Sequence, residues 1–245
     1  MSIDDEHDLE GLRRVGAAVA AARDAMGAAV ESGVTTADLD VLGAEVLRER
    51  GARSAPELAY GFPAATCISV NDALAHGIPS ARVLREGDLV NIDVSAELDG
   101  YFADTGASFA VGKVSRKVSA LLWATRRALK EALAEARAGR PVRNIGRAVE
   151  RRAKRSGFYV IKNLCGHGVG RNIHEEPSVP NTFDSRDRSL LSEGLVIAVE
   201  PFLAISADTV IEDDDGWTLR TPDGSLGAQF EHSIVVTRGE PIVLT

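Results

Sequence analysis

Apolar side chains recur every three or four residues in two long stretches of the chain, the pattern of helices that bury one face. The long helices are predicted over residues 9–31 and 115–138. Each is followed by a shorter predicted helix, one from Thr35 or Thr36 through residue 48 and the other over residues 143–155. A glycine follows each of the four, as is typical of helix ends, at positions 33, 51, 139 and 157.

In the segment LREGDLVNIDVSAELDGYFAD, residues 84–104, apolar and polar residues alternate instead, which is the pattern of a β-strand. Asp99-Gly100 lies between two alternating runs, and this pair favours a two-residue hairpin turn because both turn positions need positive φ. A turn at these two residues pairs Leu98 with Tyr101. The sequence therefore predicts one long β-hairpin in the middle of the chain.

Polar side chains share one face of this predicted hairpin. The register pairs Ser95 with Asp104, and Asp93 lies on the same face because side chains alternate along a strand. Two carboxylates so close together repel each other unless a cation lies between them. A hard divalent metal ion is the expected cation.

The two halves of the chain follow one plan: long helix, shorter helix, irregular segment, then an apolar strand with an acid. Gly33 and Gly139 are 106 positions apart. The strand EGDLVNID, residues 86–93, aligns without a gap with EGLVIAVE, residues 193–200, which places Glu200 opposite Asp93. Two unrelated α-β segments remain the alternative. A length of 245 residues with 44% hydrophobic residues predicts a single α/β or α+β domain over residues 1–245. A duplication predicts halves of about 9–112 and 115–245 with a site between them.

Strand and loop are predicted over residues 56–80 and 158–180, and further strands over residues 195–204, 217–220 and 229–237. Glu200 lies within the first of these apolar strands, so it must be protonated, bound to metal or paired, for example with an arginine. Glu231 lies in the last, where an exposed edge-strand charge is the ordinary alternative. His167 lies between glycines in CGHGVGRNIHEEP, seven residues before His174. His76 lies in an irregular segment, where a structural histidine is the commoner interpretation.

Composition narrows the classes of protein to which this chain can belong. The net charge of −8 argues against a nucleic-acid-binding surface, and two distant cysteines favour neither a disulfide framework nor a thiolate zinc cluster. The acidic start MSIDDEHDLE is unlike a signal peptide, and the longest apolar runs, such as residues 195–199, are too short to span a bilayer. A cytoplasmic protein without membrane or specific nucleic-acid partners is expected.

Four acids and one histidine, supplied by strands and glycine-rich loops, form an oxygen-rich donor set. The set is Asp93, Asp104, His167, Glu200 and Glu231. Such a set suits two Mn, Fe, Co or Zn ions bridged by carboxylates better than one tetrahedral structural zinc. Two neighbouring ions that share a hydroxide and polarise a carbonyl are typical of metal-assisted hydrolysis.

The motifs HGIPS, VNIDVSAELDGYFADT, CGHGVGRNIHEEP, VIAVEP and AQFEHSIVV, in this order, resemble those of the type I methionine aminopeptidases from about Leu9 to the end of the chain. The resemblance implies an α+β pita-bread fold: two pseudo-symmetric α/β halves around a central antiparallel sheet with a dinuclear metal site. It implies removal of the initiator methionine from nascent proteins and peptides whose second residue is small, by attack of a hydroxide that bridges two metal ions.

The resemblance also implies roles for individual residues. Asp93 would chelate one metal, Asp104 and Glu231 would bridge both, and His167 and Glu200 would hold the second. Glu200 would also move a proton from the attacking water to the leaving amine. The two family histidines fall on His76, at the scissile amide nitrogen, and His174, at the oxyanion or the next peptide carbonyl.

The implied methionine pocket matches the family less closely. Phe62, Cys67 and Trp217 fall at pocket positions, whereas relatives often carry Tyr at position 59, Cys at 75 and Phe at 173, where this chain has Ala59, Ala75 and Ile173. Smaller residues at positions 59 and 173 are expected to widen the pocket.

The resemblance is to the short bacterial form, without an N-terminal extension, and it implies a monomer with at most transient contact with the ribosome. A proline-directed aminopeptidase of the same fold and a binding module that has lost its metal are the alternatives.

Overall fold

The computed structural model describes residues 1–245. Its five helices are α1 (Glu6–Ala28), α2 (Thr36–Glu49), α3 (Ala55–Tyr60), α4 (Arg116–Leu133) and α5 (Arg143–Ser156). The four predicted helices are confirmed, although α4 ends five residues before the predicted end. At the start of α2, the side chains of Thr35 and Asp38 each accept a hydrogen bond from the other residue's backbone N–H, which settles Thr35 as the cap. No helix is both long and apolar enough to cross a membrane.

Helix α3 is a correction, because strand and loop were predicted from residue 56 onward. The Ser54 hydroxyl accepts a hydrogen bond from the Glu57 N–H, Pro56 lies in the first turn, and Gly61 ends the helix with φ of 67°. All three are ordinary signals of helix ends. The helix has only six residues, too few to show a 3.6-residue period of apolar side chains.

Fifteen strands complete the chain: β1 (Arg53–Ser54), β2 (Cys67–Val70), β3 (Ala73–Ala75), β4 (Leu89–Leu98), β5 (Tyr101–Ala110), β6 (Tyr159–Val160), β7 (Cys165–Gly168), β8 (Glu175–Pro180), β9 (Val196–Val199), β10 (Phe202–Ala204), β11 (Ile211–Glu212), β12 (Leu219–Arg220), β13 (Gly227–Gln229), β14 (His232–Val235) and β15 (Ile242–Val243). β4 pairs with β1, β2 and β5 in one sheet, and the order β15-β14-β9-β7-β8 forms another. Two three-stranded sheets, β13-β10-β6 and β11-β12-β3, lie beside them.

The predicted hairpin is confirmed as β4 and β5. Leu98 pairs with Tyr101 and Ser95 pairs with Asp104, in the predicted register. Asp99-Gly100 forms the turn, with φ values of 53° and 82°. Positive φ at both positions is what a type I′ turn requires, which explains why two residues suffice to set the register of ten-residue strands.

Two strands predicted as continuous are interrupted, and both interruptions occur at an acid. The 195–204 run divides into β9 and β10 around Glu200-Pro201, and the 229–237 run divides into β13 and β14 around Phe230-Glu231. β9 pairs with β14, whereas β10 pairs with β13 in a different sheet. The chain therefore passes between two sheets at both points, and Pro201 helps because it has no N–H for a ladder.

The two halves repeat each other in backbone detail. The N–H of Gly33 donates to the carbonyl of Leu84 at 2.9 Å, and the N–H of Gly139 donates to that of Leu191 at 2.8 Å. The equivalent bridges Thr35–Val83 and Pro141–Leu190 follow in each half. One apolar core lies beneath α1 and α2 and another beneath α4 and α5. These hydrogen bonds recur at equivalent places in both halves, as a duplication predicts.

The halves meet where β5 lies beside the segment from β13 to β14. The Glu231 N–H donates to the carbonyl of Gly106 at 2.8 Å, and the Thr105 hydroxyl donates to the carbonyl of Glu231 at 3.1 Å. The Ser233 hydroxyl accepts from the Asp104 N–H at 3.0 Å and donates to the Asp104 carbonyl at 2.9 Å. This seam brings the acids of both halves together.

Candidate active site

Asp93 and Asp104 enter the site from adjacent strands of the hairpin. Asp93 lies opposite Gly106 on one side and Cys67 on the other, and Asp104 lies opposite Ser95. Burial raises the pKa of Asp93 to about 6. Burial, with the negative charges of Glu231 and Asp93, raises the pKa of Asp104 well above its ordinary value.

The second half supplies His167 from β7, Glu200 from the end of β9 and Glu231 from the break before β14. His167 Nε2 lies 3.6 Å from Glu200 Oε1 and 3.7 Å from Asp104 Oδ2. Donor atoms of Asp104, His167 and Glu231 all lie within 4.8 Å of one another. The structure thus brings residues from five distant positions in the chain into one cluster.

The His167 ring is oriented by its backbone. Its Nδ1 lies 2.9 Å from the carbonyl oxygen of Gly168, an acceptor only, so Nδ1 carries the proton in this hydrogen bond. The lone pair is left on Nε2, which faces the carboxylates. Histidines that bind metal are commonly held by a backbone carbonyl in this way.

No lysine or arginine forms a salt bridge with the acids of the cluster, whose only basic neighbour within salt-bridge distance is His167. Burial raises the pKa of Glu200 and of Glu231 well above the ordinary value, and neighbouring carboxylates add to both shifts. Asp104 Oδ1 and Glu231 Oε1 are buried without any hydrogen-bond partner. Unpartnered buried carboxylate oxygens are rare and costly. Oxygen donors with one imidazole nitrogen fit divalent Mn, Fe, Co or Zn, so the residues present suit a metal centre.

Gln229 supports this cluster, and sequence reasoning gave it no role although it lies in the AQFEH motif. Its side-chain N–H donates to Glu231 Oε2 at 3.0 Å. A Cβ on Gly106 would lie 2.0 Å from Gln229 Oε1, so only glycine leaves room for the amide there. The absence of a side chain at position 106 was the available signal, since a glycine inside a strand often marks a close approach.

His76 and His174 lie at the mouth of the site, where both rings remain accessible to solvent. The ring centroids of His174 and His167 are 4.3 Å apart. Partial desolvation, with the neighbouring imidazoles, lowers the pKa of His174 below its ordinary value. Desolvation also lowers the pKa of His76, whose backbone has a positive φ of 53°. Both imidazoles are therefore neutral near pH 7 and can donate or accept one hydrogen bond at each nitrogen.

An apolar pocket of about 80 Å³ adjoins the acids. The rings of Phe62 and Trp217 pack edge to face with centroids 5.1 Å apart, and Cys67 and Ile173 also line it. Burial raises the pKa of the Cys67 thiol, which keeps this wall uncharged. A larger groove of about 720 Å³ lies along α5 and β6, but it contains none of the predicted site residues.

Ala59 lies outside this pocket, and the next residue, Tyr60, lines it. Ala59 faces a neighbouring groove that it shares with Leu58 and Phe102. Successive residues of a helix point about 100° apart, and of these two positions only Tyr60 reaches the apolar pocket as well as the groove. The widening expected from a small residue at position 59 is thus offset by a tyrosine that sequence reasoning did not assign.

Comparison with known proteins agrees with this geometry. The model of metallopeptidase family M24 matches residues 10–238. The chain is 49% identical to methionine aminopeptidase 2 of Bacillus subtilis over 100% of this chain and 99% of that protein.

Among solved structures, methionine aminopeptidases from Thermotoga maritima and Rickettsia prowazekii superpose with TM-scores of 0.96 and 0.95, at 32% and 35% identity. The alignments cover 100% of this chain in both cases, and 99% and 100% of the respective relatives. The likeness over full length confirms the expected pita-bread fold of two pseudo-symmetric halves. With matching motifs, core and acid cluster, the chain belongs to metallopeptidase family M24.

Proposed function

We propose that this protein is a methionine aminopeptidase, which removes the initiator methionine from nascent proteins and peptides whose second residue is small. The observation that carries the proposal is the position of the acid cluster beside a small apolar pocket walled by Phe62 and Trp217. A pocket of about 80 Å³ suits one unbranched apolar side chain rather than a long peptide. The names of the full-length relatives support the same substrate.

A member of a metallopeptidase family uses a divalent metal, and the donor set fits one. We infer two ions per chain, drawn from Mn, Fe, Co and Zn, because five donor residues are more than one tetrahedral ion needs. Asp93 would hold one ion, His167 and Glu200 the other, and Asp104 and Glu231 both. When bound, such ions supply an acidified water and polarise the scissile carbonyl.

The side chains of the chain would move the protons. A carboxylate oxygen of Glu200 accepts a proton from the attacking water and passes it to the amine nitrogen of the leaving peptide. His174 donates a hydrogen bond to the oxyanion of the tetrahedral intermediate or to the next peptide carbonyl. His76 contacts the scissile amide nitrogen. The neutral state of both imidazoles suits these roles, because each offers one N–H without adding positive charge beside bound metal.

Substrate preference would follow from the pocket wall. Phe62, Cys67, Trp217 and Ile173 present apolar surface to the methionine side chain. Ile173 is less bulky than the phenylalanine common in relatives, and this loosens one wall. Ala59 would contact a bound peptide only from the outer groove.

Residues 1–245 would act as one catalytic domain, because neither half contains a complete donor set. A monomer suffices, since one chain supplies every site residue. Nascent chains are the substrate, so we propose that the protein works in the cytoplasm, and transient contact with the ribosome remains a prediction.

Release of methionine from a Met-Ala-Ser peptide tests the proposal. The protein is stripped with a chelator and then loaded separately with Mn, Fe, Co or Zn. Metal-dependent release is expected, and Glu200→Gln, which keeps the shape of the side chain but cannot accept the proton, should abolish turnover while the fold is retained. No release with any metal from folded protein would support a binding module, and release only from a Met-Pro peptide would indicate a proline-directed enzyme.

A further inference from the structure

Tyr60 makes a contact that no part of the proposed mechanism uses. Its phenol oxygen lies 2.5 Å from Nδ1 of His174, and the two ring centroids are 5.6 Å apart. About half of the Tyr60 surface is exposed to solvent. Burial of the ring therefore does little to hold it against His174, and the hydrogen bond is the evident reason for its position.

The backbone of Tyr60 is fixed by the same strand that carries Asp93. Tyr60 is the last residue of α3, which is capped by Ser54 at its start and by the left-handed Gly61 at its end. Ser54 pairs with Ala96 of β4, and its hydroxyl donates to the carbonyl of Ala65 at 2.9 Å. A helix capped at both ends and tied to β4 presents the phenol from a rigid element.

The loop before His174 is held by hydrogen bonds to the side chain of Glu175. Glu175 Oε1 accepts hydrogen bonds of 2.7 Å from the N–H groups of Arg171 and Asn172. These bonds hold the loop but not the imidazole, which can still rotate about its side-chain torsions. The His167 ring packs against this imidazole edge to face, and the phenol of Tyr60 supplies its hydrogen bond.

The phenol can donate to Nδ1 of His174 or accept from it, and only the first arrangement places an N–H on the other ring nitrogen. A neutral imidazole has one N–H and one lone pair, so a phenol that donates to Nδ1 leaves the proton on Nε2. The ordinary pKa of a phenol is about 10, so at neutral pH the hydroxyl keeps the proton that it donates. His174 can then donate from Nε2, and the opposite tautomer could not.

We propose that Tyr60 is a positioning residue that holds His174 as the Nε2–H tautomer and aims that N–H at the peptide substrate. The proposal rests on the proposed function for the identity of the substrate. It assigns a role to the residue beside Ala59, and it explains how an exposed histidine at the mouth of the site keeps one orientation. Loss of the phenol leaves the apolar pocket and the donor set in place.

Tyr60→Phe removes only the hydroxyl and is the variant of choice. We expect kcat for release of methionine to fall about 10- to 100-fold, the range typical of partners that orient a functional imidazole, with KM and metal affinity unchanged. In a His174→Ala background the same change should have no further effect, since the ring that it orients is gone. Tyr159→Phe, at an exposed tyrosine outside the site, is the matched control and should retain full kcat.

The tautomer itself can be read without turnover. Zinc-loaded protein labelled with ¹⁵N in histidine is examined by NMR, and His174→Asn identifies the signal of interest. The proton is expected on Nε2 in the unsubstituted protein and on a mixture of both nitrogens in Tyr60→Phe.

If Tyr60→Phe changes neither the tautomer of His174 nor kcat, the positioning role of Tyr60 is refuted. Methionine release by the unsubstituted protein would still support the proposed function. If the tautomer depends on Tyr60 but the protein releases no methionine, the orienting contact is supported and the proposed function is refuted.

Discussion

Removal of metal should make the stability of this protein fall as pH rises from 7 to 8. Burial and mutual repulsion raise the pKa of Asp104, Glu200 and Glu231 well above ordinary values when no cation is present. In the unfolded chain these groups lose their protons near pH 4. A proton that the folded, metal-free protein retains after the unfolded chain has lost it stabilises the fold, and that stability is lost as the pH rises through the raised pKa.

Each proton held only by the folded state changes the free energy of unfolding by about 1.4 kcal/mol per pH unit. Asp93, with a pKa of about 6, has largely lost its proton by pH 7 and adds little. Histidines such as His174 and His232 have lowered pKa values, so their contribution stabilises the fold as pH rises. That contribution is complete above the ordinary histidine pKa of about 6.5. Between pH 7 and 8 the carboxyl groups decide the sign.

Urea unfolding followed by circular dichroism, at constant ionic strength with excess chelator, measures this slope. We expect the free energy of unfolding to fall from pH 7 to pH 8 in the chelated protein, and to change little in metal-loaded protein, where the carboxylates are ionised. Glu231→Gln is neutral at every pH and should reduce the slope, whereas Glu212→Gln, at an exposed acid, should not. A flat or rising stability in the chelated protein would refute the reasoning.

Three further outcomes are expected. Gly106→Ala should lower the free energy of unfolding by about 1–3 kcal/mol in urea, since a Cβ would displace the buried amide of Gln229. Ser54→Ala should cost about 1 kcal/mol through loss of the α3 cap, and an unchanged midpoint would show that the cap is dispensable. Met-Ala should exceed Leu-Ala in kcat/KM, with a difference of about 1–3 kcal/mol that Trp217→Ala reduces, and equal values in the unsubstituted enzyme would show that the pocket does not discriminate.

Local signals in the sequence were sufficient for the parts of the fold that depend on short-range chemistry. Asp99-Gly100 specifies a turn with two positive φ values, and the register of β4 and β5 follows from it. The helix caps and the glycines after them give the helices their starts and approximate ends. The common spacing of Gly33 and Gly139 predicted the duplication because equivalent turns need equivalent glycines.

What the sequence did not predict depends on contacts between distant segments. The breaks at Glu200 and Glu231 occur because β9 and β14 leave one sheet together as β10 and β13 join another. No local pattern records such a change of partner. Tyr60 was missed for a similar reason: its importance arises from a helix too short to show periodicity and from a loop more than one hundred residues away.

The seam between β5 and the segment around Glu231 would also make bound metal a cross-link between the two halves of the chain. The core beneath α1 and the core beneath α4 each draw most of their residues from one half, whereas the ionised acids on either side of the seam repel each other unless a cation joins them. Local opening should therefore begin at the seam when metal leaves. Amide hydrogen exchange in the chelated protein should then separate two cooperative units, one protected by the core beneath α1 and the other by the core beneath α4, which metal fuses into one.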